Sequence, residues 1–240
     1  MRKCAALWLA SFVLVVSLLC AAQAGKVESV GPLTDNAVPQ AIRQALDTKG
    51  YRLSLNASAS FCELYIRKGI PARTKKGGEG VAYPQLAEST MVGVIHFPQA
   101  AADFRGHRIP SGFYTLRYEL MPDDGNHLGA APNRDFLLVI PAAVDTDPNA
   151  TFKFQDLVVM SAQSSGTKHP SPLSLVETSS PSSTPSVSKN DQDYWIFTST
   201  MKLNSGDDLH GPVAPESGQQ YAGGRVASAS YLCRKRRDGK

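Results

Sequence analysis

The residues best suited to chemistry in this chain form a short polar run, Asp123-Asp124-Gly125-Asn126-His127, between two apolar segments. Arg134 and Asp135 follow, just before the second apolar segment. Carboxylates, an amide and an imidazole in one loop can hold a divalent cation. The same residue types favour turns, because Asp, Asn and Gly satisfy nearby backbone groups and tolerate the left-handed conformation. The run therefore predicts either a polar hairpin loop or a ligand site, and its spacing does not match an EF-hand calcium loop.

Histidine is the other residue type that could contribute to a site. The five histidines of the chain show none of the short spacings typical of zinc sites, such as H-E-x-x-H. Ligands from separate loops can still converge. The predicted ligand-binding set is Asp123, Asp124, His127, Arg134, His107 and His169. If a metal binds, the expected ligands are the first three of these.

Reaction motifs are missing from the sequence. It contains no G-x-S-x-G nucleophile elbow and no G-x-x-x-x-G-K-[ST] phosphate loop. We therefore predict no catalytic residue and no cofactor.

Short strands must position the candidate residues, because polar and apolar side chains alternate along several segments. The clearest strand is predicted at 112–121, with His107 and His127 at its two ends. At ~3.3 Å per residue these ends are roughly 30 Å apart, so the two histidines share a site only if loops fold over the sheet. Further strands are predicted at 51–55, 61–67, 91–97, 135–140, 173–176, 194–203 and 225–232.

The remaining elements are few. A helix is predicted at 36–46 and is stopped by Gly50. The pattern at 151–162 favours a second helix, followed by Gly166, although 157–160 also suits a buried strand. Residues 25–35 are predicted to be an irregular leader. Many short strands with one or two helices predict a mainly β protein, a single antiparallel β-sandwich or jelly-roll-like domain. Its expected bounds are 25–205, with a Ser/Pro-rich loop at 163–191 and a poorly ordered, basic C-terminal segment at 206–240.

The first 24 residues have the organisation of a secretory signal peptide. Two basic residues precede an apolar run from Ala5 to Leu19, and Ala22-Gln23-Ala24 forms an A-x-A cleavage site before Gly25. The run is shorter than the roughly 20 residues of a spanning helix, which favours cleavage over an uncleaved anchor. Leu19 before Cys20 disfavours a lipoprotein signal. The mature chain is therefore expected to be exported, periplasmic or extracellular, with no membrane span.

Cleavage would change the charge and the cysteine content of the chain. The formal net charge is +4, but the basic excess lies at the two ends and leaves a mildly acidic body. Such a body lacks the broad basic face that nucleic-acid binding needs, so the expected partner is an unknown envelope ligand or protein. Cys62 and Cys233 would remain. In an oxidising compartment they either form a disulfide or stay as two separate thiols.

Several stretches of the chain resemble a group of uncharacterised secreted bacterial β-rich proteins with no assigned activity. The stretches lie within roughly residues 36–200 and read ELYIRKGIP (63–71), GVIHF (93–97), FRG (104–106), IPSGFYTLRY (109–118), GNHLG (125–129), RDFLLVIP (134–141) and GTKHP (166–170). The resemblance implies export and a β-rich fold. It implies no catalytic residue.

The leading functional hypothesis is a non-catalytic, exported β-sandwich that binds a ligand or partner at the cell envelope. Its expected contact surface is the loop set at 123–134 together with His107 or His169. The alternative is a metal-assisted hydrolase on the same scaffold. That alternative predicts that His127, His169, Asp123 and Asp124 converge in one pocket, whereas a binding module would leave them in surface loops.

Overall fold

The computed structural model describes residues 25–55, 60–73, 81–103, 107–122, 134–176, 184–189, 194–206 and 228–233, the last of these by their backbone alone. Within these ranges lie two helices, α1 (Gln40–Ala45) and α2 (Phe154–Ser165). The strands are β1 (Lys26–Val30), β2 (Leu46–Ser54), β3 (Ser60–Arg67), β4 (Met91–Phe97), β5 (Ala101–Ala102), β6 (Arg108–Ile109), β7 (Gly112–Leu120), β8 (Asp135–Pro141), β9 (Pro172–Val176), β10 (Ser186–Lys189), β11 (Trp195–Thr200) and β12 (Ser228–Cys233).

Ten of these strands form one antiparallel sheet, in the order β1-β2-β3-β4-β7-β8-β9-β12-β11-β10, and β5 pairs with β6 in a separate hairpin. The sheet curls until β1 contacts β10. Across the interior, the rings of Tyr51 in β2 and Phe197 in β11 lie with their centroids 5.7 Å apart. The predicted class, a mainly β antiparallel single domain, is confirmed, and the curled sheet is consistent with a β-sandwich-like arrangement. None of the helices within the described ranges is long and apolar enough to cross a membrane.

The inner face of the curled sheet carries the main hydrophobic core. Side chains on a strand alternate between the two faces, so every second residue points inward. The inward set is apolar on strands from both halves of the sheet, including Leu53, Leu64, Ile95, Leu116, Val139 and Phe197. Each such burial stabilises the fold by about 1.5–3 kcal/mol before the entropy cost of ordering.

The outer face of the central strands is covered by the two helices. On α1, Ile42 packs with Tyr65 and Val94 of the sheet. On α2, Leu157 packs against alternate residues of β8, which is therefore buried on both faces. This double burial explains why residues 136–140 form a continuous apolar run rather than an alternating one.

Several local predictions differ from the structure, and the differences have physical reasons. Residues 26–30 form β1 rather than an irregular leader, and they pair with β2. Gly50 lies inside β2 instead of ending a helix. The Tyr65 ring lies so close to Gly50 that an added Cβ would be 2.5 Å from it, so the position favours glycine for space. The helix predicted at 151–162 is confirmed as α2, and Gly166 ends it in the left-handed conformation with φ +65°.

The C-terminal segment contributes a strand to the sheet. β12 agrees with the strand predicted at 225–232, inside a segment otherwise predicted to be poorly ordered, and it lies between β9 and β11. Its last residue, Cys233, is in register with Trp195. Cys62 on β3 is buried at 2 % exposure. Because the side chain of Cys233 lies outside the described part of the structure, the Cys62–Cys233 disulfide stays a prediction.

Candidate functional site

The structure describes half of the predicted ligand-binding set. His107, His169 and Arg134 lie in described ranges. Asp123, Asp124 and His127 lie outside them, so the convergence that the hydrolase hypothesis requires stays a prediction.

Arg134 lies at the Leu120 end of β7, directly after residues 123–133, which lie outside the described ranges. The Met121 amide donates to the Arg134 carbonyl at 2.8 Å, and Arg134 Nε donates back to the Met121 carbonyl at 3.2 Å. His107 lies at the Gly112 end of the same strand, roughly 26 Å away at ~3.3 Å per residue. Arg134 is therefore far from His107. It is equally far from His169, because the His169 ring lies beside the His107 ring.

His107 is held by the β5–β6 hairpin, opposite Asp103. The Asp103 amide donates to the His107 carbonyl at 3.0 Å, and the His107 amide donates to Asp103 Oδ1 at 2.8 Å. The second carboxylate oxygen, Oδ2, lies 3.1 Å from His107 Nδ1. Asp103 is fully buried, whereas the His107 side chain is 34 % exposed. A buried carboxylate thus fixes the orientation of a ring that reaches solvent.

The Asp103 carboxylate also decides which ring nitrogen of His107 is available. We assign the Nδ1 proton of neutral His107 to the hydrogen bond with Asp103, which leaves the lone pair on Nε2. Nε2 can then accept a hydrogen bond from a hydroxyl or amine, or bind a transition-metal ion. Asp103 was missed in the sequence, where the only signal was its spacing of four residues from His107.

His169 comes to the same place from the end of α2. Gly166 stops the helix, and the Thr167 hydroxyl holds the next turn by accepting from the His169 amide at 3.1 Å. The His169 ring lies nearly parallel to the His107 ring, with an interplanar angle of 7° and centroids 6.4 Å apart. His169 is exposed. We call Asp103, His107 and His169 the histidine site.

The metal-binding capacity of the histidine site is limited by its ligand number. Within the described ranges, no three His, Cys, Asp or Glu side chains are grouped so that they could hold a metal ion. His107 and His169 alone offer two imidazoles, whereas a structural zinc site takes four protein ligands. Any ion here would complete its coordination with water or ligand atoms.

A second polar cluster lies on the outer face of the sheet, around Glu63. This carboxylate accepts from Arg52 Nε at 2.9 Å and from the Tyr65 hydroxyl at 3.0 Å, and it lies 3.3 Å from His96 Nδ1. Burial alone would raise the pKa of Glu63, but these hydrogen bonds outweigh it and lower the pKa. His96 also stacks on Phe113 with ring centroids 4.1 Å apart. Because its members satisfy one another, this cluster serves to join β2, β3 and β4.

Two buried charged groups anchor loops rather than face solvent. Arg117 and Asp145, both fully buried, form a bidentate pair with two N–O distances of 2.7 Å. This pair ties the loop after β8 to the outer face of β7. Asp135 accepts from the Tyr118 hydroxyl at 2.6 Å and from the amides of Ala82 and Tyr83 at 2.8 and 3.0 Å. The two neighbours in sequence thus have different roles: Arg134 bonds to Met121 beyond the end of β7, and Asp135 is an internal anchor.

Comparison with known proteins adds no relative to these observations. A scan against protein-family models, a search of curated proteins and a search of solved structures each found no match to the chain.

Proposed function

We propose that this chain is an exported, non-catalytic β-protein that binds a ligand at the cell envelope through the histidine site. The observation that carries the proposal is the fully buried Asp103 carboxylate, 3.1 Å from Nδ1 of the partly exposed His107. Burying a carboxylate is costly unless it is hydrogen-bonded. Here the hydrogen bonds orient the partly exposed ring of His107, next to the exposed His169.

The chemistry of the histidine site selects the kind of ligand. With Nδ1 occupied by Asp103, His107 presents Nε2 as an acceptor. A ligand that supplies hydroxyl or amine donors therefore fits, and the two imidazole faces add flat apolar surface. Glycans of the envelope present many such hydroxyls, so we propose a hydroxyl-rich glycan as the ligand class.

The binding prediction is tested with the chain from residue 25 onward and purified peptidoglycan sacculi in a co-sedimentation assay. We expect His107→Gln and His169→Gln each to weaken binding about 3- to 10-fold, the equivalent of one hydrogen bond. Asp103→Asn should weaken it by a similar factor, because the ring of His107 loses its fixed orientation. The control is His96→Gln, because His96 belongs to the Glu63 cluster on the outer face of the sheet and not to the histidine site.

The controls decide how the sedimentation result is interpreted. Equal binding by the wild type and by all histidine-site variants, with the fold intact by circular dichroism, would contradict the assignment of the site. A loss of binding with His96→Gln and not with His107→Gln would mean that the ligand binds at the Glu63 cluster, on the outer face of the sheet.

Export is supported by the organisation of residues 1–24 and by the resemblance to secreted bacterial proteins. We expect the full chain, expressed in a bacterial host, to be recovered outside the cytoplasm with Gly25 as its first residue. N-terminal sequencing and cell fractionation measure this. Replacing Ala24 with a bulky leucine should block cleavage. Recovery of an uncleaved chain in the cytoplasm would contradict the proposal.

One observation also favours the alternative, a metal-assisted hydrolase. A carboxylate behind a histidine is the arrangement that positions zinc-binding histidines and general bases. The alternative expects purified protein to bind zinc stoichiometrically and to hydrolyse a substrate that the metal-free protein does not. Zinc titration with a hydrolysis assay separates it from the binding proposal, which expects no turnover.

A further inference from the structure

The rings of His107 and His169 lie side by side with a gap between them. Their planes are nearly parallel, at 7°, but the centroids lie 6.4 Å apart. By comparison, His96 and Phe113, which stack face to face, have centroids 4.1 Å apart. The two imidazoles therefore approach each other without stacking closely. We propose that the histidine site binds one divalent transition-metal ion, which takes a ring nitrogen from each histidine.

The spacing of the rings fits two imidazoles on one ion. A ring nitrogen binds zinc at about 2.0–2.1 Å, which places the centroid of each ring roughly 3.2 Å from the ion. Two rings on opposite sides of an ion thus have centroids up to about 6.4 Å apart, and rings at a smaller angle lie closer. The His107 and His169 rings are at the upper end of this range, and a rotation of the exposed His169 side chain covers the smaller distances.

Asp103 gives His107 the support that metal-binding histidines have. Such histidines almost always donate the second ring N–H to a carboxylate, carbonyl or water, which fixes the ring and raises the basicity of the ligating nitrogen. Each oxygen of the fully buried Asp103 contacts His107, one through its amide at 2.8 Å and the other through Nδ1 at 3.1 Å. The Glu63 carboxylate beside His96 is instead shared with an arginine and a tyrosine. His107 is thus presented with Nε2 as the metal ligand.

The second ligand is placed by the turn that follows α2. The Thr167 hydroxyl donates to the His169 carbonyl at 3.0 Å and accepts from the His169 amide at 3.1 Å. The Ser165 hydroxyl lies 2.9 Å from the same Thr167 oxygen. These bonds use the backbone of His169, so they fix its position without using its ring nitrogens. Two ligands held at a fixed spacing bind an ion at a lower entropy cost than two free side chains do.

The ligand type selects the metal. Imidazole nitrogen suits Cu²⁺, Ni²⁺ and Zn²⁺, whereas Mg²⁺ and Ca²⁺ prefer oxygen ligands. Among these ions Cu²⁺ should bind tightest. The ion takes the Nε2 lone pair that a glycan hydroxyl uses in the proposed function. Metal and glycan therefore compete for His107, a consequence that rests on the proposed function, whereas the metal site itself does not.

The test is isothermal titration of the untagged chain from residue 25 onward with Cu²⁺, Zn²⁺ and Mg²⁺. We expect one Cu²⁺ per chain, weaker binding of Zn²⁺ and no binding of Mg²⁺. His107→Gln and His169→Gln should each weaken Cu²⁺ binding about 10-fold or more, and the double variant should add little, because the two rings act as one chelating pair. The matched control is His96→Gln, which removes a histidine that also has a carboxylate partner and should leave binding unchanged.

Asp103→Asn separates the positioning role of Asp103 from the ligand role of the histidines. The variant keeps both imidazoles, so the electron paramagnetic resonance spectrum of bound Cu²⁺ should still show two nitrogen ligands while the affinity falls about 10-fold. His169→Gln should reduce the spectrum to one nitrogen ligand. Because His169 is exposed, this variant should fold, which circular dichroism checks.

Two results of the titration would overturn the metal site. The first is no binding of Cu²⁺ or Zn²⁺ at about 1 mM ion. The second is a loss of binding with His127→Gln and not with His107→Gln or His169→Gln, which would place the ion at residues 123–127. Metal binding by a chain that binds no muramyl glycan would support this site and contradict the proposed function, and glycan binding without metal binding would do the reverse. Bound glycan that Cu²⁺ fails to displace would contradict the competition.

Discussion

Replacing Arg117 with methionine is expected to lower the free energy of unfolding by about 3–5 kcal/mol. The substitution would leave the fully buried Asp145 carboxylate without its bidentate partner. It would also remove the donor to the carbonyls of Ser89 and Ala150, now bonded at 2.6 and 2.8 Å. An uncompensated buried charge and orphaned acceptors both destabilise the folded state.

Urea unfolding measures this effect, followed by the emission of Trp195, which is buried at 7 % exposure. The double variant Arg117→Met/Asp145→Leu should lose less than the sum of the single variants, because it removes both charges. The matched control is Lys26→Ala, which breaks an exposed pair with Glu28 and should leave stability nearly unchanged. A loss from Arg117→Met no larger than that of the control would contradict the role assigned to the pair.

Replacing Glu119 with glutamine is expected to stabilise the protein at alkaline pH. Glu119 is buried at 2 % exposure. Burial, and then the charge of Glu88, raise its pKa to about 7, against the opposing effect of the Leu120 and Ser89 amides. The folded state therefore binds this proton more tightly than the unfolded state does. The resulting stabilisation is present below about pH 4.5 and is lost as the pH rises through 7.

The Glu119→Gln variant stays neutral and avoids this loss. At ~1.4 kcal/mol per pKa unit, its gain over the wild type should grow from near zero at acid pH to about 3 kcal/mol near pH 8. Unfolding measured between about pH 4 and pH 8 tests the trend. Glu28→Gln, at an exposed carboxylate, should show no such gain. A pH-independent difference between Glu119→Gln and the wild type would mean that the Glu119 carboxyl does not titrate in this range.

The strands that the sequence predicts best are those whose burial imposes a pattern. The bounds predicted for β4, 91–97, agree with the structure, and β7 ends within one residue of its prediction. By contrast, β1 and β10 were missed. Both lie at the edges of the sheet, and their sequences, KVESV and SVSK, show little apolar alternation. Such strands are specified by pairing with a neighbour, which a single segment does not reveal.

The histidine site was only partly predictable for a related reason. His107 and His169 can be proposed from residue type, but their approach depends on how α2 crosses the sheet. The role of Asp103 depends on the β5–β6 hairpin. Its strands are two residues long, which is too short for a sequence pattern to show. The partnership of Arg117 with Asp145 likewise spans 28 positions and follows from the loop path. Tertiary topology, rather than local propensity, creates these contacts.

The most direct test of the proposed function is nuclear magnetic resonance of the histidine rings in the chain from residue 25 onward. The protein would be titrated with soluble muramyl glycan fragments, and the Cε1–H signals followed individually. We predict that the His107 and His169 signals shift together and saturate at one concentration, while the His96 signal stays in place. Binding of the fragments with no change at His107 and His169 would contradict the account.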